Sequence, residues 1–233
     1  MADNICARYH ADCGDGHLSG HDNEWFDQFG LPVETVEAHP RYPAFSAAWL
    51  RKKVNVKLYL DSSVPFLKDR VGRTTRDTRQ LFYLDAHWEN YLPLREELEL
   101  IFETYRNAIV VIDDFNVEDD PGYGFDSYGP DKTLNLDLLR RCNVPPMFIF
   151  YPSTRSDQET GMRRGWAVIT TNAEMARKLE SITLLRRRGE SRQPVGNWPR
   201  ADADRGALWG TASAIDAGRT ADTTQVVRSE GTL

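Results

Sequence analysis

Short apolar runs alternate with amphipathic segments along the middle of the chain. Fully apolar runs of this kind predict parallel strands that are buried on both faces, and apolar residues at helical spacing predict the helices that cover them. The predicted strands span residues 32–36, 54–60, 81–84, 108–112, 147–151 and 166–170. The predicted helices span residues 44–53, 63–70, 92–105, 134–142 and 173–185. The alternation indicates an α/β fold with a doubly wound, mostly parallel sheet.

The two ends of the chain lack this pattern. Residues 1–24 are rich in Gly, Asp and His, with one weak apolar stretch, and we predict an irregular N-terminal segment or a degenerate first strand followed by a glycine loop. Residues 25–185 form the predicted α/β domain. Residues 186–233 contain few large apolar side chains, so they bury too little surface to offset the entropy lost on ordering. We therefore predict a disordered tail from residue 186.

Composition narrows the classes of function. The chain has 233 residues, enough for one sizeable core, and its net charge of -6 argues against general binding of nucleic acid. Its longest apolar runs are too short to cross a membrane, and its start does not resemble a secretion signal. Cys6, Cys13 and Cys142 are an odd number of cysteines, which suggests a reducing compartment. We expect a cytoplasmic protein, and the oligomeric state stays open.

Acidic residues follow four of the predicted strands directly. These residues are Glu37, Asp61, Asp85 and the pair Asp113–Asp114. In open α/β sheets, ligands bind outside the carboxyl ends of the strands. A single Asp in such a place is common because Asp also begins turns and caps helices, but four in series indicate a polar ligand site.

Asp85, Asp113 and Asp114 suit a hard divalent cation. Three neighbouring carboxylates repel one another, and an ion bound by oxygen atoms alone is typically Mg²⁺. Such an ion would accept a diol oxygen of a substrate and lower the pKa of that oxygen. The alternative is that Asp113 caps a loop while Asp114 faces solvent.

Two longer segments carry a family resemblance. FYLDAHWENYLPLREELELI followed by AIVVIDDFNVEDDPGYGFDSY resembles the metal-dependent small-molecule O-methyltransferases, both catechol O-methyltransferase and the macrocin O-methyltransferase-like group. The resemblance implies a Rossmann-like sheet with one antiparallel strand near the C-terminal end. It also implies S-adenosylmethionine as methyl donor, a small-molecule hydroxyl as acceptor, and Mg²⁺ bound by Asp85, Asp113 and Asp114.

The same resemblance implies a cofactor site. LPVETVEAHPRY resembles the second-strand region of the family, where the terminal acid, here Glu37, binds the ribose hydroxyls. LDSS resembles the end of the third strand, which places Asp61 and Ser62 near the adenine. A methyltransferase also needs a glycine-rich turn that lets the backbone approach the cofactor. In CGDGHLSG the candidates for that turn are Gly14, Gly16 and Gly20.

His87 is the candidate general base. It comes two residues after Asp85, and an imidazole titrates near neutral pH. The family places its base just after the fourth-strand Asp but uses Lys or Asp, so His87 departs from the pattern. The alternative is a loop histidine that packs beside Trp88.

Three other interpretations stay open. Five potential zinc ligands lie close together near the N-terminus, but not at zinc-finger spacing: Cys6, His10, Cys13, His17 and His21. The loose fit of the glycine turn would suit a catalytically inactive relative that binds a ligand or partner. The aspartates would also serve another metal-dependent enzyme on the same scaffold, such as a hydroxylase or a hydrolase.

Overall fold

In the part of the chain that the structure describes, eight strands form one sheet. The computed structural model describes residues 4–8 (backbone only), 30–38, 54–71, 73, 75–85 and 91–189. The strands are β1 (Asn4–Arg8), β2 (Val33–Glu37), β3 (Val56–Leu60), β4 (Arg79–Leu84), β5 (Asn107–Ile112), β6 (Phe148–Pro152), β7 (Ala167–Thr170) and β8 (Leu185–Arg187). The helices within these residues are α1 (Ser63–Val71), α2 (Leu94–Thr104), α3 (Leu136–Arg140) and α4 (Ala173–Glu180), with a short 3-10 turn at Ser156–Gln158.

The strand order reverses between β1 and β4. The order across the sheet is β3-β2-β1-β4-β5-β7-β6-β8, and the first five strands in it are mutually parallel. From β1 the chain therefore proceeds to one side of the sheet, and from β3 it crosses back to the other. Such a switch point opens a crevice at the carboxyl ends of the strands, where ligands of this class of sheet bind.

Helices cover both faces of the sheet. Alternate residues of the central strands, such as Phe82 and Val110, pack in one core with residues of α1, α2 and α3. Residues of the opposite parity, such as Val111, pack in a second core with α4. This two-sided burial explains why the central strands read as continuous apolar runs in the sequence. No helix in the described part of the chain combines the length and the apolar character needed to cross a membrane.

The mixed α/β architecture is confirmed, and the N-terminal segment contributes β1, which lies between β2 and β4 in the middle of the sheet. The C-terminal part of the sheet differs from the prediction in two ways. Both β7 and β8 run against the other strands, whereas one antiparallel strand was expected. The helix predicted to reach residue 185 ends at Glu180, and β8 follows it.

Strand β8 lies across the boundary predicted between domain and tail. Arg186 is buried, and its guanidinium donates hydrogen bonds to the Pro152 carbonyl (3.1 Å) and to Asp119 (2.5 Å). No apolar signal marks β8, because an arginine and not an aliphatic residue fills the buried position. Residues 190–233 lie outside the described residues, so the tail itself stays a prediction.

Candidate functional site

Two of the predicted cofactor residues meet at the ends of β2 and β3. Glu37 is the last residue of β2 and is 1% exposed, although it is a carboxylate at a strand end. The backbone N–H of Asp61 donates to the Glu37 carbonyl (3.1 Å), which fixes the two strand ends side by side. The Asp61 carboxylate accepts the N–H of Ser62 (2.8 Å) and so begins the turn into α1. Ser62 also accepts the N–H of Phe66 at its carbonyl (3.1 Å).

Asp113 is held firmly at the ends of β4 and β5. Its N–H donates to the carbonyl of Leu84 (3.1 Å), the residue directly before Asp85. One carboxylate oxygen, Oδ2, accepts the Tyr83 hydroxyl (2.6 Å), and the other, Oδ1, accepts the N–H of Asp114 (2.9 Å). Both oxygens of Asp113 therefore have a protein donor, and the side chain is fixed in one orientation.

Asp114 pairs with an arginine from a distant part of the chain. Its backbone has a φ of 51°, in the left-handed region that Asp adopts more readily than most residues. Its Oδ1 accepts a hydrogen bond from Arg164 Nε, and Arg164 Nη2 bonds to Asp126. Hydrogen bonds from the guanidinium to Asp114, and then to Asp126, raise the pKa of Arg164 above its ordinary value. One guanidinium thus bridges two carboxylates that would otherwise repel each other.

Backbone hydrogen bonds attach the segment after β5 to the segment before β7. Phe115 N–H donates to the Gly165 carbonyl (2.8 Å), Gly165 N–H to the Gly124 carbonyl (2.8 Å), and Gly124 N–H to the Arg163 carbonyl (2.7 Å). Asp126 N–H donates to the Asp114 carbonyl (3.0 Å). Residues 115–126, which we call the wall, are therefore ordered beside the Asp113–Asp114 pair.

The carboxylates at the strand ends form two groups on either side of the switch point. Glu37 and Asp61 lie on the β2–β3 side, while Asp85, Asp113 and Asp114 lie on the β4–β5 side. Strand β1 lies between the two groups, so a ligand that contacts both must pass over its carboxyl end.

The predicted magnesium ligands fit the ion in chemistry but not in arrangement. Carboxylate oxygens are the donors that Mg²⁺ prefers. However, within residues 4–8, 30–38, 54–71, 73, 75–85 and 91–189, no three His, Cys, Asp or Glu side chains are grouped so that they could hold a metal ion. Asp114 faces Arg164, and both oxygens of Asp113 accept protein hydrogen bonds. The magnesium site stays a prediction.

Several predicted site residues lie outside the described residues. They are His87 with its neighbour Trp88, the glycines Gly14, Gly16 and Gly20, and four of the five potential zinc ligands. Cys6, the fifth, belongs to β1, which is described by its backbone. The roles assigned to these residues stay predictions.

The structure adds two residues that the sequence did not single out. Tyr83 is part of the apolar run of β4, yet its hydroxyl bonds to Asp113 at the end of the adjacent strand β5. Arg164 stands 50 residues after Asp114, in a polar connection between two strands. No local signal marks either contact, because each depends on which strands and loops become neighbours.

Comparison with known proteins gives structural similarity alone. No family model matches the chain, and no curated protein matches it. Similar solved structures include a putative O-methyltransferase from Klebsiella pneumoniae, with 16% identity, 74% of each chain covered and a TM-score of 0.49. The O-methyltransferase TomG from Streptomyces achromogenes, solved in complex with SAM, has 14% identity over 74% of each chain and a TM-score of 0.49. An O-methyltransferase from Bacillus cereus has 15% identity over 72% of this chain and 73% of its own, with a TM-score of 0.46.

Proposed function

We propose that this protein transfers the methyl group of S-adenosylmethionine to a hydroxyl oxygen of a small molecule. The observation that carries the proposal is the buried carboxylate of Glu37 at the carboxyl end of β2, beside the switch point of the sheet. Burying a carboxylate is costly unless it serves as a partner for donors. A carboxylate with two oxygens suits a pair of vicinal hydroxyls, which is the role that the sequence resemblance implies for Glu37.

The residues around Glu37 agree with a nucleoside site. Asp61 is fixed beside Glu37 by a backbone hydrogen bond, and Ser62 follows it at the turn into α1. In the proposal, Glu37 accepts the ribose hydroxyls, Asp61 and Ser62 border the adenine, and the turn containing Gly14, Gly16 and Gly20 borders the methionine part. When bound, the cofactor supplies an electrophilic methyl group on a sulfonium.

The acceptor half of the site is the wall at the ends of β4 and β5. His87 is the proposed base that takes the proton of the acceptor hydroxyl, and the backbone around Asp113 and the Gly124–Asp126 stretch borders the acceptor. Holding acceptor and donor in line provides much of the rate enhancement in reactions of this kind. We assign no step to Mg²⁺, because Asp114 is paired with Arg164.

The first experiment is calorimetric titration of S-adenosylmethionine into the wild-type protein and into Glu37→Gln. The variant keeps the shape of the side chain but loses its charge, and each charge-assisted hydrogen bond is worth about 1.5–3 kcal/mol. We expect Glu37→Gln to weaken binding about 10- to 100-fold.

Glu34→Gln is the matched control, on the same strand. Glu34 is partly exposed, accepts the Tyr59 hydroxyl (2.9 Å) and pairs with Arg70 Nε (3.0 Å), away from the proposed ligand. Its removal should leave the affinity for S-adenosylmethionine unchanged. A folded wild-type protein that binds no S-adenosylmethionine would contradict the proposal and favour an inactive relative or a different enzyme. Equal affinities for wild type and Glu37→Gln would exclude Glu37 as the ribose ligand.

A further inference from the structure

A cavity lies between α4 and the amino ends of β4 and β5, at the opposite edge of the sheet from Glu37 and Asp113. Its volume is about 160 Å³, and cavities of about this size with aliphatic walls can hold a benzene ring. The lining comes from the start of the two strands, from α4 and from the turn after it: Arg79, Gln80, Asn107, Ile109, Met175, Lys178, Leu179 and Ile182. The proposed methyl transfer uses none of these residues.

Four side chains give the cavity an apolar interior. Met175 and Leu179 of α4 are each 5% exposed, and Ile109 of β5 packs against the core cluster that contains Leu179. The N–H of Ile182 donates to the Leu179 carbonyl (3.0 Å), and this turn places Ile182 in the lining although the residue is 43% exposed. A ligand with an apolar body would remove these side chains from water, which favours its binding.

Asn107 adds little polarity to the lining. Its Nδ2 donates to the Asp77 carbonyl (2.8 Å), and its Oδ1 accepts a hydrogen bond from Asn172 Nδ2 (2.8 Å). A buried water molecule is stable where about two to four polar groups can bond to it. Because the Asn107 amide is already bonded at both ends, the cavity suits an apolar group better than a water molecule.

The mouth of the cavity, by which we mean Arg79 and Lys178, carries positive charge. Lys178 Nζ bonds to Glu174 Oε1 (2.8 Å), one turn earlier on α4, and the two side chains are 52% and 62% exposed. Lys178 lowers the pKa of Glu174 through this hydrogen bond and through its charge, and the charges of two arginines, Arg177 and Arg79, lower it further. Three cations therefore act on one carboxylate. An exposed ion pair such as Lys178–Glu174 is weak enough for the lysine to attract a second anion.

We propose that this cavity binds a small carboxylate whose body is an aromatic ring or a short aliphatic chain. The apolar body lies against Ile109, Met175 and Leu179, and the carboxylate lies at the mouth, where Lys178 and Arg79 attract it. The lining thus selects an apolar body, and the mouth selects an anionic group over a neutral one. The site is separate from the proposed methyl transfer and does not depend on it.

The test is a titration of the whole chain with benzoate, followed by saturation-transfer NMR, with benzamide as the neutral probe of nearly the same shape. For a ligand of this size we expect benzoate to bind with a Kd of about 0.1–1 mM. Benzamide keeps the ring but lacks the charge that the mouth attracts, so it should bind about tenfold more weakly.

Lys178→Gln removes one charge from the mouth. It should weaken the binding of benzoate about fivefold and leave that of benzamide unchanged. Arg177→Gln is the matched control, because it removes the same charge from an exposed residue of α4 that does not line the cavity. It should change the affinity for either probe by less than about twofold.

Two further variants show whether the ring lies inside the cavity. Ile109→Phe adds bulk to the interior and should weaken the binding of both probes by at least about tenfold. Ile182→Trp covers the cavity from a partly exposed position, where a substitution costs little stability, and it should weaken both probes by at least about threefold. Thermal unfolding checks that each variant is folded, and Ile182→Trp decides the question if Ile109→Phe is not.

Binding of benzoate that exceeds that of benzamide, depends on Lys178 and is weakened when the cavity is filled supports the proposal. Three results would overturn it: no binding of benzoate, binding that neither Lys178→Gln nor the filling variants change, or an equal loss in Arg177→Gln and Lys178→Gln. Because S-adenosylmethionine is absent, these results do not depend on whether Glu37 binds that cofactor.

Discussion

Cys142 shows how burial changes the chemistry of a single residue. Its thiol packs against the main core and donates a weak hydrogen bond to the Leu138 carbonyl (3.5 Å). Burial, and secondarily the negative charge of Glu99, raise the pKa of Cys142 to about 11. The thiolate is the reactive form, so Cys142 should be nearly inert at neutral pH.

This predicts slow alkylation of Cys142 in the folded protein. At pH 8 a thiol with this pKa is about one-thousandth ionised, so labelling by iodoacetamide should be on the order of 100-fold slower than in the urea-unfolded chain. Peptide mass spectrometry separates Cys142 from Cys6 and Cys13. The rate should keep rising with pH up to about 11, whereas a plateau near pH 9 would show that burial does not protect the thiol.

At the same scale, the sequence predicts which residues carry charge but not which residues meet. Asp61, Asp85 and the Asp113–Asp114 pair follow their strands as expected, and Glu37 is the last residue of its strand, because the end of an apolar run is a local signal. The partners of Asp113 and Asp114 are not local. Tyr83 reaches Asp113 through strand register, and Arg164 reaches Asp114 through the folding of two loops against each other.

Gly165 allows the segment after β5 to lie close against the segment before β7. A Cβ atom at this position would lie 2.2 Å from the Phe115 carbonyl oxygen and 3.1 Å from Val117 Cγ2. The N–H of Phe115 is itself hydrogen-bonded to the Gly165 carbonyl. The Phe115 carbonyl therefore cannot move away without breaking the contact between the wall and the segment before β7.

We therefore predict that Gly165→Ala lowers the free energy of unfolding by about 2–3 kcal/mol. Urea denaturation followed by circular dichroism measures the loss. Gly161→Ala is the control in the same connection, since nothing lies within 4 Å of the added Cβ, and it should change stability by less than about 0.5 kcal/mol. Equal losses in the two variants would mean that the close approach at Gly165 is not rigid.

Elements with a continuous apolar pattern were predictable, and those without one were not. β4 and β5 each have one buried and one partly buried face, and their predicted ranges agree with the observed ones to within two residues. β8 is a three-residue edge strand in which only Arg186 is buried, so it has neither length nor apolar periodicity. The helix α3 is also shorter than predicted, because Asn135 caps its start by accepting the N–H of Leu138 (3.1 Å) and a turn follows Arg140.

For the whole molecule, only part of the strand order can be predicted from the sequence. Parallel strands joined by helices indicate a doubly wound sheet, and the reversal between β1 and β4 then fixes where a ligand binds. The C-terminal half of the sheet does not follow, because β5, β7, β6 and β8 alternate in direction. Those pairings depend on long-range contacts such as that of Arg186 with Asp119, which closes β8 against the segment after β5.

Truncation tests where the folded unit ends at its C-terminal side. A chain that ends after Gly189 keeps β8, and because residues 190–233 have the composition of a segment without a core, its unfolding temperature should equal that of the full chain. A chain that ends after Leu184 loses the strand, the buried Arg186 and its bonds to Pro152 and Asp119, and it exposes the edge of β6. We expect its unfolding temperature to fall by at least about 5 °C in differential scanning calorimetry. If truncation after Gly189 destabilised the protein equally, the segment beyond residue 189 would belong to the folded unit, and the boundary inferred from composition would be wrong.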